Sequence, residues 1–178
     1  MRLLGPTLCA LSLLGATFIG LGSAQATEQQ WRLGADLGYG RAVLSDGTLS
    51  GLGGGLHATY GLTDEFNLRV AGDVSWFDRP APATYALLWS TTVGVEYVLD
   101  VLDWIPYAGI SVGAMGELKQ GERHDVFAGF EIPAGLGYQV LPELTVGAEF
   151  RYRMMVLGTD AGVSMMAVLG RVEYVWGD

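Results

Sequence analysis

Beyond its first 26 residues the chain contains no cysteine; the single one, Cys9, lies inside an N-terminal apolar segment. Export normally favours disulfides in small domains with little core, so this chain draws its stability from another source. Basic residues are also scarce. Once Arg2 is set aside, nine lysines and arginines face nineteen aspartates and glutamates, Lys119 being the only lysine. A net charge near −10 excludes nucleic acid as a natural partner. Outside the N-terminus no apolar run reaches the 18 or so residues of a membrane helix, yet 50% of the chain is hydrophobic and its mean hydropathy is +0.31. Only two histidines are present, His57 and His124, and no Cys/His/Asp/Glu spacing suits a metal. Neither a metal nor an organic cofactor is expected.

The N-terminus has the three parts of a secretory signal peptide: Arg2, an apolar stretch from Leu8 to Leu21, and the small-residue site Ser23-Ala24-Gln25-Ala26. Cleavage after Ala26 is expected, leaving residues 27–178 as one domain.

That domain is written in period two. Trp31, Leu33, Ala35, Leu37 and Tyr39 alternate with Arg32, Gly34, Asp36, Gly38 and Gly40, and Leu144, Val146, Ala148, Phe150 and Tyr152 alternate with Thr145, Gly147, Glu149, Arg151 and Arg153. Alternation of this kind is strand, not helix. Turn signals divide the chain into eight strands near 31–41, 49–62, 66–77, 85–99, 104–118, 126–141, 144–157 and 163–176. Tight connections (Thr63-Asp64-Glu65, Asp100 to Asp103, Pro142-Glu143) alternate with longer ones (Arg41 to Thr48, Asp78 to Thr84, Lys119 to Asp125, Gly158 to Gly162). An even number of strands, each long enough to cross a bilayer, predicts an all-β, eight-stranded antiparallel up-and-down transmembrane barrel with its tight turns toward the periplasm. Closure satisfies every backbone group in lipid, which an open sheet does not. Trp31, Tyr60, Phe66, Tyr97, Trp104, Tyr138, Tyr174 and Trp176 gather beside the tight turns as one aromatic girdle, and Tyr39, Trp76, Tyr85, Trp89 and Tyr152 lie toward the opposite ends as a second.

A soluble barrel of lipocalin type would turn the apolar parity inward. Eight strands enclose only enough room for a modest set of side chains, and the apolar parity carries about forty bulky ones. The apolar face is therefore outward, and the glycine-rich parity (Gly51, Gly53, Gly55, Gly94, Gly109, Gly113, Gly129, Gly135, Gly137 and Gly147 among others) lines the lumen. The same parity carries Arg32, Asp36, Arg69, Asp73, Glu96, Glu131, Glu149, Arg151, Arg153, Arg171 and Glu173, with His57, and with Glu117 near one end. Five arginines against six carboxylates predict a structural network of paired charges that plugs the barrel, since an unpaired ion in a narrow lumen is costly.

Three segments resemble the small eight-stranded outer-membrane barrels of Gram-negative bacteria, of OmpX and OmpA transmembrane-domain type. They run from Tyr60 to Arg69 (YGLTDEFNLR), from Pro106 to Gly113 (PYAGISVG) and from Leu141 to Phe150 (LPELTVGAEF). The resemblance covers the whole mature sequence and implies a salt-bridged interior without a wide pore. Against the OmpA pattern, no peptidoglycan-binding domain is expected to follow Asp178, and the last residues, Trp176-Gly177-Asp178, stand where a terminal aromatic is usual.

Catalytic constellations are lacking. His57 with Thr59 falls on the lumen parity and His124 beside Asp125 in a loop, and neither forms a nucleophile and base. Gly51, Gly53, Gly54 and Gly55 occur in mid-strand with no helix after them, so they are not a nucleotide loop. Met154, Met155, Met165 and Met166 read as lipid contact and lumen filling in preference to an adaptable binding patch. Short loops disfavour a receptor or adhesin. The expectation is a monomeric, non-enzymatic, porin-like barrel of the cell envelope, with a structural or envelope-maintenance role. Its expected partners are outer-membrane lipid and lipopolysaccharide, and the barrel-assembly machinery during insertion. A narrow channel for ions or small amphiphiles, and a lipid A-modifying enzyme, are the alternatives.

Overall fold

The computed structural model describes residues 29–44, 47–78, 85–99, 103–118, 125–157 and 163–177. The expected signal segment, His124 and most of the longer connections lie outside the described residues. Eight antiparallel strands follow one another around a closed barrel: β1 Trp31–Leu44, β2 Gly47–Gly61, β3 Phe66–Asp78, β4 Tyr85–Val98, β5 Trp104–Leu118, β6 Asp125–Leu141, β7 Leu144–Leu157 and β8 Val163–Trp176. The seam between β1 and β8 runs in continuous register from Trp31 opposite Trp176 to Val43 opposite Ser164. No sheet edge is left among these strands. The first pair of strands is longer than its composition suggests, because the β1–β2 ladder continues to Leu44 opposite Gly47. Ala42 and Val43, expected in a loop, are strand residues whose small and branched side chains keep the period.

Local chemistry explains the tight turns. Thr63 Oγ1 accepts from the backbone N–H of Phe66 at 3.1 Å and of Glu65 at 3.3 Å, holding the β2–β3 reversal. Gln139 Nε2 donates to the Pro142 carbonyl at 3.0 Å across the β6–β7 turn. In β6 the ladder to β5 skips Ile132 and Pro133, as it must where proline has no amide to donate.

Burial settles which face is which. Arg32, Asp36, Arg69, Glu131, Glu149 and Arg151 are buried, whereas Leu37, Leu52, Leu56, Val112, Val168 and the other bulky residues of the opposite parity are exposed. The aromatic girdle at the turn end is paired across strands, with ring centroids 4.8 Å apart for Trp31 and Tyr60, 5.3 Å for Phe66 and Tyr97 and 4.9 Å for Trp104 and Tyr138. An exposed apolar wall closed by an aromatic band is built for lipid. One consequence can be measured directly. Leu37 is 72% exposed on the wall, so Leu37→Arg is expected to destabilise the barrel in phospholipid vesicles by about 2–4 kcal/mol. In a water-facing position the change would be nearly neutral, and urea titration in vesicles separates the two outcomes.

Candidate functional site

Within the barrel the charges form one connected network. Its two hubs, Glu149 and Arg151, are neighbours on the inward face of β7. Arg151 donates to Asp36 Oδ2 at 2.8 Å, to Glu149 Oε1 at 2.6 Å, and to Asp73 Oδ1. Glu149 Oε2 accepts from Arg69 at 3.0 Å, from Arg171 at 2.8 Å and from the Tyr107 hydroxyl at 2.8 Å. Arg69 also holds Glu96 at 2.8 Å, and Arg153 joins Glu131 at 2.5 Å to Asp73 at 2.6 Å. The Ser90 hydroxyl donates to Asp73 at 3.3 Å.

His57 lies between carboxylates. Its Nδ1 is 3.0 Å from Asp36 Oδ2, and its Nε2 is 3.1 Å from Glu173 Oε1 and 2.9 Å from Arg171 Nε. Donation from both ring nitrogens takes an imidazolium, which would bring the interior to six positive and six negative groups; a neutral ring would instead accept from Arg171. Arg171 further contacts Glu173 at 3.0 Å and stacks over the Tyr107 ring, 4.6 Å from its centroid.

Of the eleven charged residues expected to line the lumen, ten enter this network. Arg32 is buried too but has no ion-pair partner among the described residues. Glu117 is half-buried on the inward side of β5. Tyr107 is the participant that composition does not flag: it follows Pro106 on the lumen parity and looks like one more girdle aromatic. Its removal can be read out cleanly. Tyr107→Phe keeps the ring over Arg171 but deletes a hydrogen bond to a charged acceptor, so a loss of about 1.5–3 kcal/mol is expected. The urea midpoint should fall with no change in slope.

Apolar side chains close the network above and below. Toward the longer loops, Phe77, Leu88, Met165 and Leu169 pack with Ala42, Ala86 and Ala167 inside the barrel; toward the tight turns, Val98, Ile105 and Tyr107 do the same. Met155 and Met165 point inward, while Met166 is exposed on the wall, which divides the methionines between lumen filling and lipid contact. Three cavities lined by described residues each hold about 10 Å³, enough for roughly one water apiece. Among the described residues no group of three or more potential ligands is placed to hold a metal ion.

A closed eight-stranded barrel with a lipid-facing wall and a filled, ion-paired interior defines an outer-membrane β-barrel protein. The chain belongs to the outer membrane protein beta-barrel domain family, whose model matches residues 11–168. It is a protein of the Gram-negative bacterial outer membrane.

Solved structures agree on the fold. Neisserial surface protein A is similar over 81% of this chain and 96% of its own, with a TM-score of 0.71 and 20% identity. OprG of Pseudomonas aeruginosa is similar over 87% and 99%, with a TM-score of 0.57 and 11% identity. Ail, the attachment invasion locus protein of Yersinia pestis, covers 84% and 99% with a TM-score of 0.52 and 14% identity. At these identities the likeness is one of fold alone. Among curated proteins none matches the chain.

Proposed function

We propose that this barrel is a sealed structural element of the outer membrane, with an envelope-maintenance role and no catalytic activity. The observation that supports the reading is the filling of the lumen among the described residues: a continuous charge network, an apolar cluster toward either end, and cavities there with room for about one water each. An ion crossing this interior would have to part Arg151 or Glu149 from several partners at once, in a medium where each separated charge is costly. The wall presents lipid and lipopolysaccharide with apolar side chains and aromatic bands, which suits a monomer surrounded by membrane and delivered there by the barrel-assembly machinery.

Planar-bilayer recording of the purified full chain tests the reading. A silent baseline is the expected result. Steady single-channel steps that reverse with voltage would overturn it. Lipid A mass spectra from cells with and without the protein should be identical, and a changed acyl pattern would reinstate an enzyme.

A further inference from the structure

The cavity nearest the tight turns differs from the other two in its chemistry. Arg32, Asn67 and Thr145 are each the second residue of their strands, and Thr59 is two residues from the end of β2. All four line this cavity. Thr59 Oγ1, Thr145 Oγ1 and Asn67 Oδ1 are buried with no hydrogen-bond partner, although buried polar atoms are normally paired. Arg32 makes no ion pair among the described residues, and it is 7% exposed. Behind Thr59, its register partner Arg69 carries two further buried N–H groups, at Nε and Nη2, without an acceptor.

The other charges on the cavity wall are already matched. Glu96 is held by Arg69; Glu173 is held by Arg171 and lies within hydrogen-bond distance of His57; Arg171 is also held by Glu149. Arg32 is the one cation on this wall with no ion-pair contact among the described residues, although Glu173 lies close enough to feel its charge. Hydroxyls able to donate share the wall with it, as do the apolar residues Val98 and Ile105, and a lower dielectric strengthens electrostatic attraction. The surplus of donors calls for an acceptor, the charge calls for an anion, and a volume of about 10 Å³ limits it to the size of roughly one water. The Asn67 amide, turned over, adds two more donors.

We propose that this cavity is a binding site for a single small inorganic anion of halide size, held by Arg32, Thr59 and Thr145 at the turn end of the lumen. The anion gives Arg32 the close partner that no described carboxylate provides within ion-pair distance, so it acts as a structural ion and not as cargo. Bromide serves as the probe. Crystals of the full chain soaked in bromide should show one anomalous peak within hydrogen-bond distance of the Arg32 guanidinium and the Thr145 hydroxyl. In detergent solution, saturable broadening of the chloride NMR line should weaken about tenfold or more in Arg32→Gln, the effect of losing a charge-assisted contact.

Thr145→Val provides a second variant should Arg32→Gln fail to fold, and it should weaken the broadening in the same direction. Water density without an anomalous signal, or a protein carboxylate in the cavity, would overturn the proposal. So would broadening that is unchanged in a folded variant, which marks an adventitious ion only. Silence or conduction in the bilayer bears on the sealed-barrel reading alone, and anion binding is read independently of it.

Discussion

Arg151→Ala is expected to destabilise the barrel by about 3–5 kcal/mol, the usual cost of removing one member of a buried ionic group, and on a marginal background to prevent folding. The arginine bonds Asp36, Asp73 and Glu149 from three different strands, and it is almost fully buried. Its loss leaves three carboxylates short of a donor where water scarcely reaches. The measurement is urea unfolding in vesicles, followed by tryptophan fluorescence and by the gel shift between folded and heated protein. Replacing Arg153 alone with methionine should also destabilise, since Glu131 and Asp73 both lose a partner. Removing Glu131 together with Arg153, as Arg153→Met with Glu131→Leu, should recover part of that loss, because apolar replacement of a whole pair is often neutral or favourable. If the double variant is worse than the single one, the pair contributes more than its own desolvation costs.

Gly113→Val is expected to abolish the heat-modifiable folded species, whereas Gly72→Val leaves it intact. Both glycines lie within strands, but they face opposite ways. A Cβ on Gly113 would collide with the carbonyl oxygen of Thr91 and press on Thr92 Cα across the β4–β5 pair, and a Cβ on Gly94 would meet Ile110 O and Ser111 Cα from the other side of the same pair. These are backbone atoms, so no rotamer change relieves them. At Gly72 the nearest atom stands 4.0 Å away, and a branched side chain there only adds to the lipid contact. The contrast isolates curvature. In a barrel of eight strands the inward side chains converge, and glycine is needed where the neighbouring backbone comes closest. A folded Gly113→Val variant would show that the seam can open to make room.

Period two made most of this fold readable from the residues, because alternation reports both strand and side. The direction of the two sides needed a volume argument, and Arg69 and Glu131, both 0% exposed, bear it out. The charge inventory was equally legible, but the pairing was not. Nothing in the spacing of Asp36 and Arg151 brings them to 2.8 Å; that contact depends on how strands distant in sequence curve around one another. The apolar layer of Phe77, Leu88 and Met165 was hidden for a different reason. Those residues occupy the charged parity near strand ends, where the pattern in a single strand looks like noise, and only closure places them in one cluster. The connection between β1 and β2 was read too long because Ser45-Asp46-Gly47 resembles loop, whereas the ladder runs on to Leu44 opposite Gly47.

Closure between β1 and β8 has a further consequence for how the molecule is made. Glu173 on β8 meets His57 on β2, and Arg171 on β8 meets Glu149 on β7, so the strand latest in sequence order carries charges that its predecessors await. Until it docks, His57 lacks one of its two carboxylate neighbours and Glu149 one of its donors, and both open margins of the sheet present unpaired amides. Such an intermediate is tolerable only where water can still reach it. Pairing of β8 with β1 thus completes two things at once, the last ladder of backbone hydrogen bonds around the ring and the last partners of His57 and Glu149.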